Sequence, residues 1–297
     1  MKRNKILLTG HSGYVGGIIW DYLKNGYDVA GVSSKSPGGH NLFRCNLRDS
    51  RAVRELALQV APDIIIHAAG NKDISFCESH PDDAYADNGE TVANLIDAFP
   101  QARHFYISTD YVFDGHRGNY CEGEIPAPAN VYGKSKLYGE QVGLARSERF
   151  VIVRLCALYN MNATFPRFLY KSFSEKRQVQ AYDDVIYSPT YYKDFLGLMS
   201  CLLETRDTGV KIIHCGGESI SRYEFARNFA EAFRFENSLL QKAQNNNQDN
   251  RLFPNLSLSS EESRRIFGFS LTGSQQALAE MRKEFDEETG NLSAIRR

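Results

Sequence analysis

Residues Lys5-Ile6-Leu7-Leu8-Thr9-Gly10-His11-Ser12-Gly13-Tyr14-Val15-Gly16 decide the fold. The apolar run Lys5 to Leu8 reads as a buried strand. The TGxxGxxG turn after it feeds a helix over Tyr14 to Lys24, which stops at Asn25-Gly26. Glycines at these positions permit a tight turn and close approach of backbone to a phosphate. The helix start adds unpaired N–H groups and the positive end of its dipole. Glycines also serve simple turns; placement between a strand and a helix is what points to a dinucleotide pyrophosphate.

Working outward, Asp28 to Val32 reads as a second strand and Asp49 to Val60 as a helix ended by Pro62. Asp63 to His67 is a strand of nearly pure isoleucine. Continuous apolar strands suit a parallel sheet covered on both faces. Another helix opens at His80-Pro81-Asp82-Asp83, with proline early and carboxylates at the positive dipole end. His104 to Ser108, Phe150 to Leu155 and Lys211 to Cys215 read as further strands. The rhythm predicts an α/β fold, a Rossmann-type doubly wound parallel sheet of about seven strands.

After Leu155 the rhythm breaks. Residues 160–190 are rich in Phe, Tyr and Arg, and Ser221 with Glu224 has capping-box spacing before a helix reaching Phe235. The Asn/Gln-rich stretch 241–250 reads as an exposed loop. The expected division is a dinucleotide-binding domain over 1–160, completed by about 191–215. A smaller mixed α/β substrate-binding cap takes 161–190 and 216–297.

With 42% hydrophobic residues and a formal net charge of −1, the composition is that of a globular enzyme. It gives no electrostatic reason to expect nucleic acid or an anionic membrane surface as a partner. The first apolar run is too short for a signal peptide and no stretch approaches a membrane span, so a cytoplasmic location is expected. Cys45, Cys77, Cys121, Cys156, Cys201 and Cys215 are scattered, with no CxxC pair and no Cys/His zinc spacing. Buried reduced thiols and no metal site are the expectation.

NAD binders usually place an acid at the end of the second strand, on the adenosine ribose. Here that strand runs into Ser33-Ser34-Lys35, two hydroxyls and an ammonium suited to a 2′-phosphate. NADP(H) is therefore the preferred cofactor and NAD(H) the alternative; the same residues also read as a solvated loop. Tyr132 and Lys136 stand four apart, so on a helix both face the same way. A phenol is a poor acid–base at neutral pH, and a nearby ammonium together with a positive nicotinamide ring favours the phenolate. Ser108-Thr109 ends an apolar strand at the carboxyl edge of the sheet, where a hydroxyl can bond a reacting oxygen.

The segments Ser108-Thr109-Asp110-Tyr111-Val112-Phe113-Asp114-Gly115 and Val131-Tyr132-Gly133-Lys134-Ser135-Lys136, with TGHSGYVG, resemble the dTDP-4-dehydrorhamnose reductase family of extended short-chain dehydrogenases. The likeness continues through His67-Ala68-Ala69-Gly70, Val153-Arg154-Leu155 and Ser188-Pro189-Thr190 to Ser221-Arg222-Tyr223-Glu224. The resemblance implies a keto reduction on a nucleotide-linked sugar, with Thr109, Tyr132 and Lys136 as catalytic triad. Tyr132 would protonate the keto oxygen, Lys136 hold the nicotinamide ribose and tune Tyr132, and Thr109 orient the carbonyl. The resemblance also places Gly10, Ser12, Gly13, Tyr14, Val15 and Gly16 on the pyrophosphate, Asn46 and Leu47 by the adenine, and Ala68, Ala69, Gly70 and Leu155 near the nicotinamide. Asp110, Tyr111, Val112, Ala157, Tyr159 and Arg222 are the implied substrate contacts.

Two departures stand out, one at the adenine and one at the sugar pocket. Asn46 replaces a common Asp, and Ala157 stands where the reductases usually carry a tryptophan. Dehydratase relatives carry Asp-Glu after the Ser/Thr; here Asp110 is followed by Tyr111, which removes the acid needed for elimination. Three readings stay open: a keto-sugar reductase, a 4-epimerase with tightly held NAD, and a non-catalytic NADP-binding protein resembling the regulatory subunit of methionine adenosyltransferase. Relatives commonly form homodimers, so one is compatible with the resemblance.

Overall fold

In the computed structural model, which describes residues 4–205, 209–245 and 252–295, the isoleucine run Ile64–His67 is fully buried. The strands in chain order are β1 (Lys5–Thr9), β2 (Asp28–Ser33), β3 (Leu42–Arg44), β4 (Ile64–His67), β5 (Arg103–Thr109) and β6 (Phe150–Leu155). They continue with β7 (Val179–Tyr182), β8 (Ile186–Tyr187), β9 (Ile212–Cys215), β10 (Ile220–Ser221) and β11 (Leu240–Ala243). Seven of them form one sheet in the order β3-β2-β1-β4-β5-β6-β9. The ladders β1·β2, β1·β4, β2·β3, β4·β5 and β5·β6 are all parallel. The fold is Rossmann-type α/β as expected, with the switch in strand order between β1 and β4, where such sheets open a crevice at their carboxyl ends. β3 was not anticipated: three residues, half-buried or exposed, carry too little hydropathy to announce an edge strand.

The helices of the first unit are α1 (Tyr14–Leu23), α2 (Ser50–Ala57), α3 (Ile74–Ser79), α4 (Pro81–Tyr85), α5 (Thr91–Ala98) and α6 (Val131–Arg146). A π-turn over Ala86–Glu90 joins α4 to α5. Asp49 caps α2 by accepting from Arg51 N (2.9 Å) and Ala52 N (3.2 Å), so the helix starts one residue after the expected position. One face of the sheet packs Leu7, Val32 and Ile65 against Val53 and Leu56 of α2 and Leu95 of α5.

Contacts divide the chain into one unit of residues 1–114, 122–155 and 202–214 and another of 115–121, 156–201 and 215–297. The second unit holds α7 (Thr164–Ser174), α8 (Tyr192–Glu204), α9 (Arg222–Ala232), α10 (Glu261–Phe267) and α11 (Ser274–Ile295). It contains two small sheets, β7 parallel to β11 and β8 antiparallel to β10. The anticipated capping box is present: Glu224 N donates to Ser221 Oγ and Ser221 N to the Glu224 carboxylate.

The boundaries differ from the expected ones in three places, at residues 156–160, in α8 and at residues 115–121. Most of α8 belongs to the second unit because the Asp194 carboxylate accepts from Thr272 N (2.8 Å) and Thr272 Oγ1 (2.7 Å). Residues 115–121 join it too, since Asn119 N donates to Ser257 Oγ (2.8 Å) and Tyr120 N to Ser257 O (3.0 Å). The expected loop at 241–250 is corrected over its first residues, which complete β11; residues 246–250 lie outside the described residues. Polar composition hid a strand held by main-chain pairing to β7.

Among the described residues no helix is long and apolar enough to cross a membrane, and no cluster of ligating side chains could hold a metal. All six cysteines are free; Cys45, Cys77, Cys156 and Cys215 are buried, Cys201 is half-buried and Cys121 is exposed.

Two buried imidazoles make the first unit acid-sensitive. His67 Nδ1 lies 2.6 Å from Thr9 Oγ1 and its Nε2 3.2 Å from Thr91 Oγ1; His104 Nε2 lies 3.1 Å from Phe99 O. Burial above all lowers His67 to about 3 and His104 to about 4. The unfolded chain takes up these protons below about pH 6.5 and the folded chain does not, so stability present above that pH is lost as pH falls. The slope is roughly 1.4 kcal/mol per pH unit per histidine, or about 3 kcal/mol between pH 7.5 and 5.5. Urea midpoints at the two pH values should show this drop; equal midpoints would contradict it.

Candidate active site

Gly10 leaves β1 with φ +72°. An added Cβ there would meet Ala69 N at 2.7 Å, and one on Gly16 would meet the Gly10 carbonyl oxygen at 2.1 Å. Gly13 N donates to Gly10 O (2.8 Å), and Gly13 precedes α1 without any side-chain cap. Gly13, having no side chain, gives the start of α1 no side-chain cap. Ser12 is exposed, Tyr14 and Val15 are half-buried, and the Lys72 ammonium lies 5.2 Å over the Tyr14 ring. Ala68, Ala69 and Gly70 follow β4, and Ala69 N donates to Thr9 Oγ1 (3.3 Å), tying the two strand ends at the switch point.

At the end of β2, Ser33 is half-buried with its hydroxyl unpartnered, while Ser34 and Lys35 are exposed. Asn46 is exposed and accepts from Arg48 N (3.2 Å); Arg48 clamps this turn to Asp83 (2.6 Å) and Asp87 (2.7 Å). Leu47 is buried in the core, so its side chain serves packing.

α6 brings the expected chemistry to the end of β5. Asn130 caps it by accepting from Gly133 N (2.8 Å), and Gly133 lets it sit where a Cβ would lie 2.0 Å from Tyr111 O. Thr109 stands by the Tyr132 phenol, and its hydroxyl donates to Asp110 Oδ1 (2.9 Å); Tyr111 stands edge-on to the Tyr132 ring at 5.6 Å. Burial raises the Tyr132 phenol well above its ordinary value, and the Thr109 hydroxyl beside it opposes the rise. Lys136 follows one helical turn after Tyr132 on α6. Its Nζ donates to Ile107 O (2.7 Å) and lies 3.9 Å over the Tyr106 ring. Burial lowers its pKa to about 7, with the Glu140 carboxylate pulling the other way. The helical i,i+4 spacing puts the two side chains on one face, and here a main-chain carbonyl takes the ammonium.

Leu155 is buried at the end of β6 beside Thr109 in the ladder. Val112 is fully buried, so its side chain packs in the first unit's core and offers no surface to a substrate. The second unit holds Ala157, exposed with φ +38°, and Tyr159, buried against Tyr191 (5.7 Å) and Phe225 (5.1 Å). In that unit the Arg222 guanidinium lies between the rings of Phe165 (5.3 Å) and Tyr187 (5.2 Å), its Nε unpartnered.

Sequence reading missed two groups. Asn88, in the π-turn, donates to Asn71 O (2.9 Å) and Ser135 Oγ (3.0 Å) and accepts from Asn71 N (2.8 Å), so it fixes the loop after β4 against α6. Nothing in its spacing signals this. Glu140, a further four residues beyond Lys136, makes a two-pronged buried pair with Arg154. The signal was available: a lone arginine inside Phe150–Leu155 requires a buried partner.

Comparison with known proteins agrees with the geometry. The chain is 31% identical over 249 residues to methionine adenosyltransferase 2 subunit beta of Bos taurus, covering 80% of this chain and 74% of that one. It is equally 31% identical over 242 residues to the spore coat polysaccharide biosynthesis protein SpsK of Bacillus subtilis, covering 80% and 82%. A dTDP-4-dehydrorhamnose reductase from Bacillus anthracis, solved in complex with NADP, superposes with TM-score 0.83 at 25% identity over 96% of this chain and 99% of that one. The family model described as RmlD substrate binding domain matches residues 4–287, so the chain belongs to that dTDP-4-dehydrorhamnose reductase-like family.

Proposed function

We propose that this chain is an NAD(P)H-dependent oxidoreductase, NADP(H) preferred, that reduces the keto group of a nucleotide-linked sugar through Thr109, Tyr132 and Lys136. The observation that carries the reading is the Tyr132 phenol, brought by α6 to the carboxyl end of β5, where Thr109 ends the strand and Tyr111 stands edge-on to its ring at 5.6 Å. A reduction needs a proton for the keto oxygen, and a phenol at that place can donate it once the ammonium and the positive nicotinamide ring favour its phenolate. Thr109 has one hydroxyl hydrogen. Directed to Asp110, it leaves Thr109 to accept from the phenol; turned to Tyr132, it stabilises the phenolate left after proton transfer.

The chain's residues fit a dinucleotide: a cradle at Gly10 and Gly16 that a Cβ would fill, an uncapped α1 start, and the orphaned Ser33 hydroxyl. When bound, the nicotinamide supplies the hydride. Lys136 is placed to exchange its bond with Ile107 O for one to the ribose, and Arg222, between two rings, is a fixed cation for a diphosphate.

A small panel of dTDP-, UDP- and GDP-linked 4-keto sugars tests this. Oxidation of NADPH upon adding one of them is the expected result, and an inert panel would overturn the reading. The likeness to methionine adenosyltransferase 2 subunit beta favours a second reading, a cofactor-binding partner of a synthetase. That reading predicts no turnover across the panel and stable co-elution with a methionine adenosyltransferase catalytic subunit.

A further inference from the structure

Tyr106 lies in β5 shortly before Thr109 and is fully buried. Its hydroxyl donates to the main-chain carbonyl of Asn88 (2.6 Å), in the π-turn. The ring stacks on Phe150 of β6 at 5.9 Å and tilts against His67 of β4 at 5.5 Å. α6 can cover it because residue 139 is glycine: a Cβ there would lie 2.6 Å from the Tyr106 hydroxyl and 2.4 Å from Asn88 O. Burial pushes the phenol well above its ordinary value, so the ring carries no charge.

Over this fixed ring, 3.9 Å from its centre, stands the buried Lys136 ammonium. An ammonium has three N–H groups, and one of these is bonded to Ile107 O (2.7 Å). The carboxylate that acts on it, Glu140 one turn further along α6, has both oxygens taken by Ser108 Oγ and the Arg154 guanidinium. His67 also faces it, and burial keeps that imidazole uncharged near neutral pH. Asp110 after β5 and Cys77 of α3 act on the Tyr132 phenol. A buried cation is costly unless something offsets its lost hydration. The negative face of an aromatic ring is worth most to a cation in such a dry setting.

We infer that Tyr106 is a positioning residue for the proposed reduction: the face of its ring holds the Lys136 ammonium charged and in place, and so sets the pH above which the lysine ceases to serve the nicotinamide ribose. That service rests on the reading of Lys136 given above; the effect of the ring on the ammonium does not.

Lysine labelled with carbon-13 at Cε reports the titration of each ammonium by NMR in the free, full-length protein. The Lys136 signal is the one missing from Lys136→Met. In the wild-type protein the hydrogens on its Cε should be displaced upfield by the Tyr106 ring current; ordinary shifts overturn the inference whether or not any variant folds. Tyr106→Phe keeps the ring face and should titrate close to wild type. A trifluorinated phenylalanine at the same position keeps the shape but loses most of the negative charge on the face, so its Lys136 should deprotonate about one pH unit lower. Thermal unfolding checks that both proteins fold. Equal midpoints for the two rings, or a fall as large in Tyr106→Phe, overturn the inference. Calorimetric titration with NADPH, without any sugar, should show affinity falling about one pH unit earlier in the fluorinated protein than in Tyr106→Phe; identical profiles overturn the link to the cofactor. Failure of the wild-type protein to bind NADPH at any pH overturns the cofactor reading, and the NMR midpoints still decide what the ring does.

Discussion

Tyr132→Phe is expected to lower turnover of the keto sugar by about 10²- to 10⁴-fold, with NADPH binding unchanged. The substitution removes one oxygen and no ring volume, so the edge-on contact with Tyr111 at 5.6 Å survives. Thr109 keeps its bond to Asp110 at 2.9 Å, and the turn after β5 keeps its shape. Only the proton donor is lost. Because the interaction matters in the transition state and little in the ground state, the loss should fall on kcat, with KM nearly constant. Wild-type turnover in Tyr132→Phe would remove the phenol from the mechanism. Lys136→Met gives a contrasting result if the lysine holds the ribose: a rise in KM for NADPH accompanies the fall in kcat. The lysine's pKa near 7 adds a further signature, a loss of cofactor affinity as pH rises past neutrality and the ammonium is deprotonated. The Met variant should lack that pH dependence.

The parts of the molecule that were legible in sequence are those whose physics is local. Ile64–His67 is buried on both faces and therefore apolar throughout; Gly10 and Gly16 are required by contacts at 2.7 Å and 2.1 Å. Tyr132 and Lys136 share a face because the helix period puts them there. What was hidden is set by tertiary contact. β3 and β11 are short strands at sheet edges, where main-chain pairing outweighs side-chain preference. Asn88 acts through a π-turn that no spacing rule announces. The bond of the Lys136 ammonium to Ile107 O depends on a carbonyl of a neighbouring strand, which the helix period alone does not announce. Glu140 extends the four-residue spacing of Tyr132 and Lys136, but its role shows only once Arg154 is placed beside it.

Arg154→Met should cost about 3–5 kcal/mol of unfolding free energy, among the largest effects available to a single substitution outside the glycine turn. Arg154 and Glu140 are 1% and 2% exposed, and their closest approach is 2.7 Å. Glu140 also accepts from Ser108 Oγ (2.5 Å), while Arg154 reaches His214 Nε2 (3.3 Å) and packs over the Phe113 ring at 5.1 Å. Removing the arginine leaves a carboxylate in a dry site with one hydroxyl for company. The pair itself is worth far less, since taking both charges out of water nearly cancels their attraction. The double variant Glu140→Gln/Arg154→Met should therefore recover much of the loss, and a thermodynamic cycle of urea midpoints measures the difference. Losses that simply add would show that the two groups do not sense each other. The pair also lies under the chemistry: Glu140 is the charge that opposes burial in holding Lys136 protonated, and Ser108 is joined to Thr109 on β5. Glu140→Gln should accordingly lower the Lys136 pKa further and shift the loss of NADPH affinity to lower pH, an effect that a purely structural pair would not produce.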